Sequence, residues 1–140
     1  MKRFIFFACL IIGIGGIAIA QEADEISFSV EVSGVTVNGG TIYGALYSNN
    51  NAYKDNQPEF TFRGNPTDGT MIFNLQLPQG EYAIRVYQDV NNNGQLDRGW
   101  FGIPKEPSAI TNYNGGIPGN FDRHKVTINN GTRITVSLRN

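Results

Sequence analysis

Apolar residues recur at every second position along most of this chain, a period that builds half-buried strands and excludes an amphipathic helix. Ile26, Phe28, Val30 and Val32 alternate with Ser27, Ser29, Glu31 and Ser33. Ile42, Gly44 and Leu46 share one face of the next run, with Tyr43, Ala45 and Tyr47 on the other. Met71, Phe73, Leu75 and Leu77 repeat the pattern, then Tyr82, Ile84 and Val86, then Val126 and Ile128, then Ile134, Val136 and Leu138. The expected fold is all-β, an antiparallel β-sandwich of about seven strands with Greek-key connections and one long loop after the Tyr82–Tyr87 strand. Asn38-Gly39 and Asn130-Gly131 read as type I′ hairpin signals, and Pro78-Gln79-Gly80 as a further turn.

The first twenty residues stand apart from this pattern. Lys2 and Arg3 precede an uncharged run from Phe4 to Ala20 that closes on Ala18-Ile19-Ala20, the form of an export signal with a small-x-small cleavage site. A membrane anchor is the rival reading, because the run approaches the roughly 20 residues that cross a bilayer. Cleavage is expected after Ala20, leaving residues 21–140 as one domain in the periplasm or outside the cell. Cys9, the only cysteine, leaves with the signal, so the mature chain has no disulfide. Without Lys2 and Arg3, 9 basic residues face 12 acidic ones, a net charge of −3. A mildly acidic surface argues against nucleic acid or an anionic membrane as partner; a protein or glycan partner is expected, and the chain is expected to be a monomer.

Two segments break the alternation. Ser48 to Pro58 is polar and Asn-rich and reads as a mobile surface loop. The second runs from Asp89 to about Asp122, and a connection that long in a small domain is usually functional or tied down. It begins Asp89-Val90-Asn91-Asn92-Asn93-Gly94-Gln95-Leu96-Asp97, with oxygen-bearing side chains at alternating positions around a glycine. Calcium takes about six to eight hard oxygens, and an EF-hand loop supplies them from positions 1, 3, 5, 7 and 9, with Gly at 6 and a bidentate Glu at 12. Asp89, Asn91, Asn93, Gln95 and Asp97 fill the first five slots and Gly94 the sixth position, but Trp100 stands at the twelfth. Glu106, Asp122 or water could supply the missing ligand, and such a site is expected to bind calcium weakly, on the order of 10⁻⁴ to 10⁻³ M. The rival reading is a metal-free turn, since Asp and Asn cap their own backbone and tolerate left-handed geometry.

Trp100 and Phe101 follow this loop, and Tyr113 lies further along. Large aromatics are usually buried, so Trp100 or Phe101 is expected to plug the open end of the sandwich. The alternative is a carbohydrate-binding platform made of Trp100, Phe101 and Tyr113. Exposure separates the two.

Catalysis has little to stand on. His124, the only histidine, reads as a surface or edge residue, and no Gly-x-Ser-x-Gly or Ser-x-x-Lys marks a nucleophile. Asp89, Asp97 and Glu106 leave a carboxylate-dependent hydrolase as the weaker alternative, which would need two carboxylates about 5 to 9.5 Å apart across an open cleft.

The run Gly80-Glu81-Tyr82-Ala83-Ile84-Arg85-Val86-Tyr87-Gln88-Asp89, the Asn91 to Asp97 stretch, Gly102-Ile103-Pro104-Lys105-Glu106-Pro107 and Gly119-Asn120-Phe121-Asp122 together resemble the DUF2141 family of exported bacterial proteins. The resemblance covers essentially the whole mature chain and implies a compartment more than an activity. The sequence has Ser108-Ala109-Ile110-Thr111-Asn112 where the family often carries a Gly-Phe-Ser-Asn-like stretch. The Gly-x-Tyr strand running into an acidic Asn/Gly loop is also similar to transthyretin-like (prealbumin-like) and carboxypeptidase-regulatory-like sandwich domains, which implies an accessory or binding module. The function expected from all of this is an exported, non-enzymatic sandwich with a calcium-stabilised loop, acting in binding or as a structural domain at the cell envelope.

Overall fold

Alternation becomes burial strand by strand. The computed structural model describes residues 23–140, so the expected export signal and Cys9 lie outside the described residues. β1 (Glu25–Ser33), β4 (Thr70–Pro78) and β8 (Arg133–Ser137) form one sheet in the order β4-β1-β8. β3 (Phe60–Gly64), β2 (Thr41–Tyr47), β5 (Gly80–Asp89) and β6 (Ser108–Ile110) form the other in that order, and β7 (Val126–Ile128) pairs with the start of β5. The molecule is an all-β sandwich, with eight strands against the seven or so expected.

The core lies between the sheets. Val30 and Val32 from β1, Ile42 and Leu46 from β2, Ile84 from β5 and Ile128 from β7 are fully buried. Each such side chain contributes roughly 1.5–3 kcal/mol by leaving water. Gly44 is part of this packing: it sits opposite Phe62 across β2 and β3, and a Cβ there would meet the Phe62 ring at 2.0 Å. The absent side chain lets Phe62 lie flat and reach Phe73, 4.5 Å away between ring centroids, joining the two sheets.

Several local expectations are corrected. β1 and β8 pair in parallel, while the other strand pairs are antiparallel; parallel pairing needs a long connection, and most of the chain separates these two. Asn38-Gly39, Pro78-Gln79-Gly80 and Asn130-Gly131 do turn the chain, but none makes a hairpin, because in each case the flanking strands belong to different pairings. Gly131 has φ +78° while Asn130 stays on the ordinary side, so the type I′ requirement of two positive φ angles is not met. These turns are corners between sheets.

The Ser48–Pro58 segment is not a simple loop. It holds the helix α1 (Asn50–Lys54), started by Asn49, whose Oδ1 accepts from the Ala52 N–H at 2.9 Å. Tyr53 on α1 packs with Tyr47, Ala83 and Phe121 on the outer face of the five-membered sheet. Phe121 opens a second helix, α2 (Phe121–His124), likewise capped by an Asn, Asn120. Two one-turn helices thus cover one end of that outer face. Among the described residues no helix is long and apolar enough to cross a membrane.

Candidate functional site

At the end of β5 the chain leaves the sheet on a side chain that holds the next turn. Asp89, 1% exposed, accepts the Asn93 N–H at 3.1 Å through Oδ1 and the Gly94 N–H at 2.7 Å through Oδ2. Asn91 Oδ1 accepts from the Asn93 N–H and Asn93 Oδ1 from the Gln95 N–H, a succession of Asx turns. The amide nitrogens of Asn91 and Asn93 both donate to the Asp97 carboxylate, at 2.5 and 3.0 Å. Asn92 (φ +55°) and Gly94 (φ +77°) take the left-handed conformations that the tight path requires. The alternating Asp/Asn residues are therefore gathered into one small volume.

Glu106 closes the loop from the other side. Its carboxylate, 5% exposed, accepts the Val90 N–H at 2.9 Å and the Asp97 N–H at 3.0 Å, so a single side chain joins both ends of the turn. Hydrogen bonds from N–H groups to an ionised carboxylate are among the stronger kinds.

Between these braced ends the chain makes a narrow hairpin. Arg98 pairs with Pro104, the Lys105 N–H reaches Asp97 O at 2.8 Å, and the Gly99 N–H reaches Ile103 O at 2.7 Å. Arg98 Nη1 adds a bond to Gly102 O at 2.8 Å. Trp100, Phe101 and Gly102 form the tip. Trp100 is 87% and Phe101 97% exposed, with Ile103 and Val90 also exposed nearby, which overturns the expectation that an aromatic here plugs the sandwich. The reason is the hairpin, which turns outward and leaves the core to β-strand residues. Phe101 moreover holds φ +59°, a conformation that bulky L-residues avoid.

Other expected site residues fall elsewhere. Tyr113 does not join Trp100 and Phe101: β6 runs antiparallel to β5, pairing Ser108 with Tyr87 and Ile110 with Arg85, so Tyr113 lies toward the opposite end of β5 from Asp89. Asp122 is held by Asn50 and Lys125, at 3.1 and 3.5 Å, and not by the loop. His124 is not at the surface but fully buried, with Nδ1 2.9 Å from Thr111 O and Nε2 accepting from the Gly119 N–H at 3.0 Å. With both ring nitrogens committed, it pins the loop that precedes α2. Gln95 is exposed and leaves its side chain free of the Asx network.

Two structural pins escaped the sequence reading. Buried Gln88 accepts the Thr36 N–H and donates to Thr36 O, fastening the β1–β2 connection. Thr111 Oγ1 accepts the Ile84 N–H and donates to His124 O. A polar residue within an otherwise apolar strand run is the available signal for Gln88; Thr111 offers none.

Charge and burial also mark Tyr87. Partial burial first, then the neighbouring Asp89, Tyr43 and Glu106, push its hydroxyl up to about 12.

As a calcium site the loop fits in part. Asp89, Asp97 and Glu106 bring three carboxylates to one loop, and among the described residues none makes an ion pair. Asn91, Asn93 and Asp97 are close enough to bond one another. Against this, both oxygens of Asp89 and Glu106 already accept backbone N–H groups, so Glu106 acts as a brace in the slot expected of a last ligand. Among the described residues no three His, Cys, Asp or Glu side chains are grouped as metal ligands. The same burial removes Asp89 and Glu106 as a carboxylate pair facing an open cleft.

Residues 30–135 match the model of a family described as an uncharacterized protein conserved in bacteria, DUF2141. The chain belongs to the DUF2141 family. The matched span of this DUF2141 chain runs from within β1 to within β8 and contains the entire Asp89–Glu106 loop. No curated protein and no solved structure matches.

Proposed function

We propose that this DUF2141 protein is an exported, non-enzymatic binding module of the cell envelope that docks an apolar surface of a partner protein with the Trp100-Phe101 tip. The observation that carries the reading is Phe101, at once 97% exposed and at φ +59°. A left-handed bulky residue costs the free chain about 1–2 kcal/mol, and here no burial offsets it. Strain of that kind accumulates where a side chain is needed for contact. Trp and Phe are also the residues that anchor interfaces when seated in a partner's pocket. The hairpin, closed by Asp97, Glu106 and Arg98, holds them in place before contact and so lowers the ordering cost of binding.

Calcium belongs to this reading as a fastener of the loop. The Asp89 and Asp97 carboxylates, without a cationic partner among the described residues, favour a bound divalent cation, with Asp89, Asn91, Asn93 and Asp97 as the candidate ligands and water completing the shell. The carbohydrate platform is less favoured, because Tyr113 stands away from the tip and the Asn side chains beside it are spent on the loop itself.

The test is co-sedimentation of the exported protein with envelope fractions of its source bacterium. Saturable binding that Trp100→Ala and Phe101→Ala abolish supports the reading. Equal binding by both variants defeats it, and binding lost on adding soluble oligosaccharide assigns the tip to a glycan.

A further inference from the structure

The outer face of the five-membered sheet holds a groove that the aromatic tip does not use. Side chains at alternate positions of β2, β3 and β5 stand out from it in rows set by the strand register. One row runs Arg63, Tyr43, Tyr87; the next runs Thr61, Ala45, Arg85. Tyr43 and Tyr87 stand side by side with ring centroids 5.4 Å apart. Ala45, short among long neighbours, leaves the floor open. The segment before β3 walls one end through Asn56 and Pro58, and the Asp/Asn loop walls the other through Gln95 and Arg98. The groove, open to solvent, has a volume of about 990 Å³.

The charge of this groove is unlike that of the chain. Its charged lining side chains are Arg63, Arg85 and Arg98, and no carboxylate lines it. Among the described residues none of the three makes an ion pair. Arg85 is pre-set, its guanidinium lying 3.7 Å from the Tyr53 ring centroid and 4.9 Å from that of Tyr47. Asp89 and Glu106, near Tyr87, are occupied by backbone N–H groups and do not reach the lining. Three guanidinium groups without a carboxylate partner, in a chain of net charge −1, call for an anion even though Arg98 also bonds Gly102 O, and the planar guanidinium fork matches carboxylate or phosphate. The rest of the lining offers hydroxyls and amides from Tyr43, Tyr87, Thr61, Asn56 and Gln95. The groove lies on the face of the sheet, not along an edge, so a peptide would find no backbone ladder to extend. A second depression, of about 550 Å³ near Ser27 and Thr132, has no charged lining and carries no comparable argument.

We propose that the groove binds an acidic saccharide, its carboxylate or phosphate held by Arg63, Arg85 and Arg98 and its ring seated over Ala45 beside Tyr43 and Tyr87. The site shares Arg98 with the hairpin that carries the tip, where Arg98 bonds Gly102 O, and otherwise rests on the sheet face, so variants of Arg63 and Arg85 test it without touching the tip.

Calorimetric titration of the purified protein tests this with trigalacturonate, glucose 6-phosphate, neutral cellotriose, inorganic phosphate and a Glu-rich peptide. The expected result is saturable binding of trigalacturonate or glucose 6-phosphate, at least about tenfold tighter than cellotriose and weakened by added salt. Arg63→Gln should weaken that binding severalfold at an unchanged thermal midpoint, since Arg63 is exposed and unbonded. Arg85→Gln should do so more strongly, with its midpoint measured alongside because Arg85 also packs on Tyr53. Failure of both acidic sugars to bind overturns the proposal. So do equal binding of cellotriose, equal binding of inorganic phosphate, preference for the peptide, or indifference to Arg63→Gln.

Discussion

Glu106 accepts the backbone N–H of Asp97 at 3.0 Å with one carboxylate oxygen while the other takes the N–H of Val90, so a residue nine positions beyond Asp97 holds the Asn-rich turn closed. The aromatic hairpin is built inside this clasp, between Asp97 and Lys105. The position of Trp100 and Phe101 thus depends on a buried carboxylate that touches neither of them.

Removing the clasp should be expensive. Glu106→Ala leaves two N–H groups without their partner and should cost about 2–4 kcal/mol in denaturant unfolding. Glu106→Gln keeps one acceptor oxygen and should cost less, about 1–2 kcal/mol. A loss below about 0.5 kcal/mol for the Ala variant would mean that the loop closes without Glu106.

Phe101 should trade stability against binding. Phe101→Asn places a residue tolerant of left-handed geometry at φ +59°. The thermal midpoint should hold or rise while envelope binding is lost. A lower midpoint would show that Phe101 packs against something in the free chain.

Two glycines should fail for different reasons. Gly44→Ala drives a methyl into the Phe62 ring and should cost about 1–3 kcal/mol through the core. Gly94 has open space around it but φ +77°, so Gly94→Val should cost about 1–2 kcal/mol by backbone strain alone. Urea unfolding measures both, and a neutral Gly44→Ala would mean that Phe62 is free to move.

Tyr87 makes stability depend on alkaline pH. Its folded pKa, about 12, lies above the ordinary 10, so the fold retains a proton that the unfolded chain gives up. Stability is fully present below about pH 10 and falls as pH rises toward 12. Tyrosinate absorbance should show a late-titrating group that Tyr87→Phe removes. Complete ionisation of every tyrosine near pH 10 would contradict the partial burial of Tyr87 beside Asp89 and Glu106.

The sandwich was legible because alternation is a property of each strand by itself: Phe28, Val30 and Val32 face inward wherever β1 pairs. Pairing was not legible, since a turn such as Asn130-Gly131 reverses the chain equally well within a sheet or between sheets. β6 spans only Ser108–Ile110, too short for a period to register. α1 was hidden because Asn49 to Asn51 reads as loop, whereas its stability comes from Tyr53 packing on Tyr47 and Ala83. The spacing of Asp89, Asn91, Asn93 and Asp97 pointed to calcium, and in the fold these side chains bond one another and the turn's own backbone. The outward turn of Trp100 was beyond reach, because it depends on a clasp by Glu106 that local composition does not reveal.

Calcium provides a separate check on the loop. Metal in excess at about 100 times the dissociation constant adds about 2.7 kcal/mol, and the thermal midpoint should rise relative to EGTA. Asp89→Ala should abolish that rise. An unchanged midpoint would make the Asx turns sufficient without metal.

The most direct measurement uses the fact that Trp100 is the only tryptophan. Its fluorescence should start at the long wavelength of a water-exposed indole and shift to shorter wavelength, saturably, as the source bacterium's envelope fraction is added. Saturable binding of the protein with no change in Trp100 emission would place the contact elsewhere and contradict the account of the tip.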